Sequence, residues 1–157
     1  MAEYSRLTRF QLIMEILGGL ILVFFTIYLI IAWPTLSDML PSHYTWDGTA
    51  DAWATKKSSI TLPILGWAIY LALTVLLFIP RMWRVPQNHA NPQKQLAIYR
   101  GCRSLLCCIN LGVSAMFVYI SVCTIHNEPL GNWFLPAIVI GSILLNLVFL
   151  FTLPKAK

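Results

Sequence analysis

Residues 33–57 read WPTLSDMLPSHYTWDGTADAWATKK and separate two long apolar runs of the chain. This segment holds three of the six acidic residues and three of the six tryptophans of the protein. Proline and glycine interrupt it, whereas the runs on either side are almost entirely apolar. Binding residues are found disproportionately on connecting segments that a rigid scaffold positions. We therefore expect any functional site of the protein to lie here.

Four runs without Asp, Glu, Lys or Arg dominate the rest of the chain, at residues 16–33, 58–80, 104–125 and 129–154. About 20 apolar residues are enough to cross the hydrocarbon core of a bilayer as a helix. Charged residues make up only 11% of the chain, against about 25% in soluble domains. The sequence therefore predicts one all-α integral membrane domain over residues 1–157, with transmembrane helices at 11–33, 59–80, 93–125 and 132–153.

The basic residues are distributed unevenly between the connecting segments. Nine of the eleven lie in the two tails and in the segment between helices 2 and 3: Arg6, Arg9, Arg81, Arg84, Lys94, Arg100, Arg103, Lys155 and Lys157. Basic residues in short segments favour the cytoplasmic side. The pattern predicts a multi-pass protein of the bacterial cytoplasmic membrane with both termini inside and a structured extracytoplasmic loop at 34–57. This topology explains the net charge of +5, and no nucleic-acid-binding motif is present.

The polar residues within the apolar runs are few, and we interpret them as structural. Glu15 lies near the inner end of helix 1, where pairing with Arg9 or with a loop arginine is favoured over a buried functional carboxylate. Deep polar side chains are expected to form hydrogen bonds between helices: Thr74, Asn110, Ser114 and Asn146. The four cysteines lie in or beside helix 3 and lack the spacing of a zinc site.

The residues of the outer loop include possible metal ligands. His43, Asp47 and Asp51 offer one imidazole and two carboxylates within nine residues. Glu128 and His126, at the short loop between helices 3 and 4, could join them. Imidazole and carboxylate groups suit zinc or another divalent metal ion. A divalent metal is therefore one candidate ligand, with His43 and Asp51 as its principal ligands, although their spacing matches no known metal-binding pattern.

A turn is predicted midway between these two residues. Asp47-Gly48 is a strong turn signal, and such a turn brings the residues on its two sides within a few ångströms of each other. Lys57 could then hold Asp51 ionised, or hold an anionic group of a ligand. A structural interpretation stays open as well. In that interpretation His43 bonds to the backbone of the loop, and Asp51 pairs with a lysine or caps helix 2.

The stretch LPSHYTWDGTADAWATKK, residues 40–57, resembles the motif of a small bacterial membrane-protein family, the domain of unknown function sixteen forty-eight. This domain also forms the N-terminal part of Sdp-type immunity proteins. The matching positions are Pro41, His43, Gly48, Asp51, Trp53 and the pair Lys56–Lys57. The resemblance covers residues 17–80, and helices 3 and 4 resemble the family only in number and length. It implies that the motif lies between the first two transmembrane helices.

Two classes of function fit these observations. The first is a non-enzymatic membrane protein whose outer motif binds a peptide, a partner membrane protein or a metal ion, as an immunity or signalling accessory would. The second is a small membrane-embedded, metal-dependent hydrolase that acts at the outer face. We favour the first, because no serine or cysteine nucleophile motif is present. The expected partners are the lipid bilayer and a peptide or membrane protein, and the sequence indicates neither the ligand nor the oligomeric state.

Overall fold

A computed structural model describes residues 7–83 and 92–152 of the chain. Its four α-helices are α1 (Arg9–Ala32), α2 (Thr61–Leu77), α3 (Pro92–His126) and α4 (Phe134–Thr152). All four helical segments are long and apolar enough to cross a membrane, and the chain is a multi-pass membrane protein. The predicted helices agree with them to within a few residues. The prediction of an all-α protein needs one amendment, because residues of the loop between α1 and α2 form two β-strands.

The two strands are β1 (Met39–Tyr44) and β2 (Ala50–Thr55), and they pair antiparallel as a hairpin. A 3-10 turn over Trp33–Thr35 leads from α1 towards β1, and a second one, Lys56–Ile60, leads from β2 into α2. We call the end of the helix bundle that carries this hairpin the outer end, and the opposite end the inner end.

The helix α3 is the centre of the bundle, because α1 and α2 both pack along it. Small residues permit close approach: a Cβ atom at Gly18 would lie 3.3 Å from the ring of Tyr70, and one at Gly66 would lie 3.2 Å from Phe117. Apolar side chains such as Phe24 and Ile31 point away from the bundle. In a bilayer these exposed side chains face lipid rather than water.

At the inner end α1 is fixed to α3 by hydrogen bonds. A capping box opens α1, because Thr8 Oγ1 accepts from the Gln11 backbone N–H (3.3 Å) while Gln11 Oε1 accepts from the Thr8 backbone N–H (3.0 Å). The Gln11 amide also donates to the carbonyl of Arg100 (3.0 Å) and to Ser104 Oγ (2.9 Å). The start of α1 is therefore held against the first half of α3.

Helix α4 packs against the bundle mainly near its start. Phe134 is buried with Cys123 of α3 and with Leu130 of the loop between α3 and α4. Further along α4 most large apolar side chains are exposed: Leu135, Val139, Ile140, Ile143, Leu144, Leu147, Val148, Leu150 and Phe151.

Two predictions about charged residues differ from the structure. Glu15 pairs with no arginine among the described residues and is instead buried between helices. Arg103, which we counted with the segment between helices 2 and 3, lies within α3 and is buried, with its guanidinium carbon 5.7 Å from the ring centre of Trp83. Four of the basic residues of the tails and of the inner segment lie outside the described part of the chain: Arg6, Arg84, Lys155 and Lys157.

Candidate functional site

The tip of the hairpin is closed by a hydrogen-bonded turn around Asp47. The Thr45 backbone N–H donates to the carbonyl of Thr49 (2.8 Å), and the Gly48 N–H donates to the carbonyl of Thr45 (2.9 Å). Asp47 Oδ1 accepts from the Thr45 hydroxyl and from both the hydroxyl and the backbone N–H of Thr49. These hydrogen bonds, that of Thr45 first, lower the pKa of Asp47. Asp47 therefore acts as a turn residue, and all its observed partners lie within the turn.

Gly48 joins this turn to the loop between α3 and α4. Its φ of +83° is in the left-handed region, which favours glycine. Its carbonyl accepts a hydrogen bond from the Leu130 N–H (2.8 Å). A Cβ atom at this position would lie 2.7 Å from the carbonyl oxygen of Gly131. Both the backbone angle and the contact therefore require glycine here.

Tyr44 makes the second connection between the hairpin and the end of α3. Its hydroxyl donates to the backbone carbonyl of Glu128 (3.3 Å) and lies 3.4 Å from Thr124 Oγ1. Burial raises the pKa of Tyr44, because the ionised form would lose its contact with water. The sequence analysis did not single out Tyr44, although a tyrosine inside an exposed segment is a common sign of such an anchor.

His43 and Asp51 are brought together by irregular strand pairing. His43 pairs with Ala52, whereas the next residue, Tyr44, pairs with Ala50, so Asp51 has no Cα partner on β1. An extra residue of this kind is a β-bulge, which redirects a side chain and is frequent next to functional sites. The bulge allows the imidazole of His43 and the carboxylate of Asp51 to meet, with Nδ1 and Oδ1 2.6 Å apart.

The His43–Asp51 pair is open to solvent and has a defined chemistry. The side chains are 68% and 46% exposed. With the Asp51 carboxylate as acceptor, Nδ1 of His43 donates, and in the neutral imidazole the other ring nitrogen, Nε2, is left as an acceptor. Nε2 has no hydrogen-bond partner among the described residues. The pair can therefore accept a hydrogen bond or a proton from a ligand, with the imidazole held in one orientation by Asp51.

The other predicted motif residues differ in their burial and in their contacts with this pair. Pro41 is buried and pairs with Trp53, whose side chain is more than half exposed. Lys57 forms no ion pair with Asp51 among the described residues. Instead its neighbour Lys56 contacts Asp38 (Nζ to Oδ1, 3.5 Å) and lies over the ring of Trp33. Lys56 thus supports the entry to the hairpin.

The residues proposed as further metal ligands lie apart from the pair. His126 is stacked on Tyr28 and hydrogen-bonded to its hydroxyl (2.9 Å). Glu128 contributes backbone groups: its carbonyl accepts from the Tyr44 hydroxyl, and its N–H donates to the carbonyl of Cys123 (2.9 Å). Within residues 7–83 and 92–152 no group of three His, Cys, Asp or Glu side chains could hold a metal ion. A catalytic zinc site needs three protein ligands, so the donors observed around His43 and Asp51 fall short of one.

The comparison with known families gives a match to the same part of the chain. Residues 20–66 match the family model described as "Domain of unknown function (DUF1648)". This confirms the resemblance indicated by the motif, over a shorter range than the predicted 17–80. The match includes the outer half of α1, the whole hairpin and the first residues of α2. No curated protein and no solved structure matches the chain significantly.

Proposed function

We propose that the protein is a non-enzymatic membrane protein whose hairpin, on the extracytoplasmic face, binds a peptide segment of another protein. The observation that supports this most is the exposed His43–Asp51 pair, which a bulge positions on a hairpin fixed to the bundle. A fixed imidazole with a free acceptor nitrogen suits hydrogen bonding to a peptide N–H or to a polar side chain. A role as an immunity or signalling accessory is one form of this proposal.

Aromatic side chains beside the pair support a peptide as the ligand. Trp46 is 83% exposed and Trp53 is 54% exposed, although both are large apolar side chains. Exposed aromatic residues next to polar ones are typical of binding surfaces, where tryptophan often contributes most of the affinity. In addition, a two-stranded sheet leaves one edge of each strand unpaired, and extended peptides bind by adding a strand to such an edge.

Peptide selection on the purified protein tests this proposal. A phage library of random peptides is selected against wild-type protein in lipid nanodiscs, and the selected peptides are then measured on variants. His43→Ala and Asp51→Asn are expected to weaken binding at least about tenfold, since losing one hydrogen bond to a charged or oriented group costs about 1.5–3 kcal/mol. The control Asp38→Asn removes an equal charge from an aspartate of the same loop that lies outside the pair.

Two results would contradict the peptide proposal. Selected peptides that bind wild type, His43→Ala and Asp51→Asn with equal affinity would show that the pair takes no part in recognition. A stoichiometric metal in purified wild-type protein that is lost in His43→Ala would replace the peptide with a metal ion as the ligand of the pair.

The orientation of the hairpin is a separate part of the proposal, supported by the uneven distribution of basic residues. We expect a protein whose only cysteine is at position 42, introduced as Ser42→Cys on the exposed face of β1, to react with a membrane-impermeant maleimide on intact cells. A protein that keeps only Cys102, near the inner end of α3, should react only after the cells are opened. The reverse pattern would place the hairpin in the cytoplasm.

A further inference from the structure

A second polar site lies inside the helix bundle, away from the hairpin. Glu15 of α1, Thr74 of α2 and Asn110 of α3 meet there, and Glu15 and Asn110 are buried, with exposures of 6% and 1%. Thr74 Oγ1 donates to Glu15 Oε2 (2.9 Å), and the hydroxyl of Tyr70 donates to the backbone carbonyl of Glu15 (2.9 Å). Three helices therefore contribute polar groups to one place in an otherwise apolar bundle.

The position along the helices places this cluster within the membrane. Glu15 lies 17 residues before the end of α1 at Ala32, which is about 26 Å at the helical rise of 1.5 Å per residue. Asn110 lies 16 residues before the end of α3 at His126, or about 24 Å. The hydrocarbon core of a bilayer is about 30 Å thick. The cluster therefore lies in the inner half of that core.

The hydrogen bonds of Asn110 are mismatched in number. Its amide nitrogen Nδ2 lies near four oxygens: Glu15 Oε1 at 3.3 Å, Glu15 Oε2 at 3.1 Å, Thr74 Oγ1 at 3.1 Å and the Tyr70 carbonyl at 3.4 Å. An amide nitrogen carries only two hydrogens. The other amide atom, Oδ1, is buried and has no donor among the described residues. Four acceptors thus converge on two donor hydrogens.

The charge of Glu15 also lacks a partner. Glu15 takes part in neither of the ion pairs observed between described side chains, His43–Asp51 and Lys56–Asp38. Burying a carboxylate in a medium of low dielectric constant is unfavourable unless a positive charge or strong donors compensate it. Thr74 and Asn110 supply only neutral donors. Both the excess of acceptors and the buried negative charge point to a positively charged ligand.

We propose that Glu15, Thr74, Asn110 and the carbonyl of Tyr70 form an intramembrane binding site for one monovalent metal cation, Na⁺ or K⁺. A half-turn of the Asn110 amide exchanges its nitrogen and oxygen and directs Oδ1 towards the other four oxygens. Five oxygens that face one another repel unless a cation lies among them, and carboxylate, carbonyl and hydroxyl oxygens are the ligands that hard cations prefer. This site is independent of the proposed function of the hairpin.

The charge balance selects a monovalent ion. One carboxylate and one monovalent cation leave the site neutral, whereas a divalent cation would leave a net positive charge in the bilayer core, which is costly. The buried side chain of Gln11 lies one helical turn before Glu15 and is hydrogen-bonded to Ser104, so polar side chains continue from the site towards the inner end.

Thermal unfolding in different salts tests this site. Purified protein in nanodiscs is unfolded at constant pH and ionic strength in NaCl, in KCl and in N-methyl-D-glucamine chloride, whose cation is too large to be bound. A ligand that binds only the folded state raises the unfolding temperature in a concentration-dependent manner. We expect a saturable rise in NaCl or in KCl relative to N-methyl-D-glucamine chloride, and the ion that gives the larger rise identifies the preferred cation.

Variants connect the effect to the site. Glu15→Gln is expected to abolish the difference between the salts, because it removes the negative charge and one oxygen ligand. Thr74→Val is expected to reduce the difference, because it removes one oxygen ligand and keeps the charge. Asp38→Asn, an exposed aspartate of the outer loop, should keep the full difference. Each protein is compared with itself in different salts, so a general loss of stability does not affect the result. If Glu15→Gln fails to fold, Thr74→Val alone tests the site.

Three outcomes would overturn the cation site. One is equal unfolding temperatures of the wild type in all three salts. A second is a salt difference that persists in Glu15→Gln. The third is a stability that changes with pH in the wild type but not in Glu15→Gln and is independent of Na⁺ and K⁺, which would show that a proton rather than a metal cation neutralises Glu15.

Discussion

Gly48→Ala is expected to lower the free energy of unfolding by about 2–4 kcal/mol and to release the hairpin from the loop between α3 and α4. An alanine at φ +83° costs roughly 1–2 kcal/mol in backbone strain alone. Its Cβ atom would also lie 2.7 Å from the backbone oxygen of Gly131, which is part of the main chain and cannot rotate away. The loop must therefore move, and the hydrogen bond from the Leu130 N–H to the Gly48 carbonyl is lost with it.

Gly112→Ala is the matched control for this substitution. Gly112 lies inside α3, and a Cβ atom there meets no atom within 4 Å. Alanine is favoured over glycine within a helix by roughly 0.5–1 kcal/mol, so this variant should be as stable as the wild type or slightly more so. Thermal unfolding in detergent and limited proteolysis at the hairpin measure both variants. Equal stability of Gly48→Ala and Gly112→Ala would mean that the contact between the hairpin and the loop contributes little.

The helices could be predicted because the bilayer imposes a simple rule on the sequence. Each charge-free run must be long enough to cross the apolar core, and each helix of the structure falls on one such run. The turn at Asp47-Gly48 could be predicted for a similarly local reason, since the two residues alone favour it. These features depend on residues that are close together in the chain.

The features that the sequence did not indicate depend on distant residues. The bulge at Asp51 arises from the pairing of two strands, and no residue type marks it in advance. Glu15 was expected to pair with an arginine at the inner surface, but Asn110 and Thr74, which are 95 and 59 residues away, provide its hydrogen bonds. Packing of three helices determines these neighbours, and one sequence carries no direct record of it.

The candidate site itself was predicted in part. The sequence suggested His43 and Asp51 as partners across a turn, and the structure places them side by side. It offered Asp47 both as a turn residue and as a possible metal ligand, and it gave no sign that Lys56 would contact Asp38 instead of Asp51. In an exposed loop several partners are available to each charged residue at similar cost, so composition alone does not choose between them.

The attachment of the hairpin to the bundle depends on one apolar side chain as well as on Gly48. Leu40 of β1 is fully buried among Phe25, Leu29 and Ile125, which come from α1 and α3. The neighbouring residue Met39 is half exposed. These contacts show that Leu40 belongs to the side of β1 that packs on the helices.

Leu40→Ala should therefore lower the free energy of unfolding by about 2–5 kcal/mol, the usual cost of removing a buried leucine side chain and leaving a cavity. Met39→Ala, on the exposed face of the same strand, should change it by less than about 0.5 kcal/mol. Hydrogen exchange should accordingly show faster exchange in β1 and β2 of Leu40→Ala, with the central part of α3 unchanged. If Leu40→Ala and Met39→Ala had the same small effect, the hairpin would be held by its hydrogen bonds to residues 128–130 rather than by apolar packing. In that case Gly48→Ala would release the hairpin and Leu40→Ala would not.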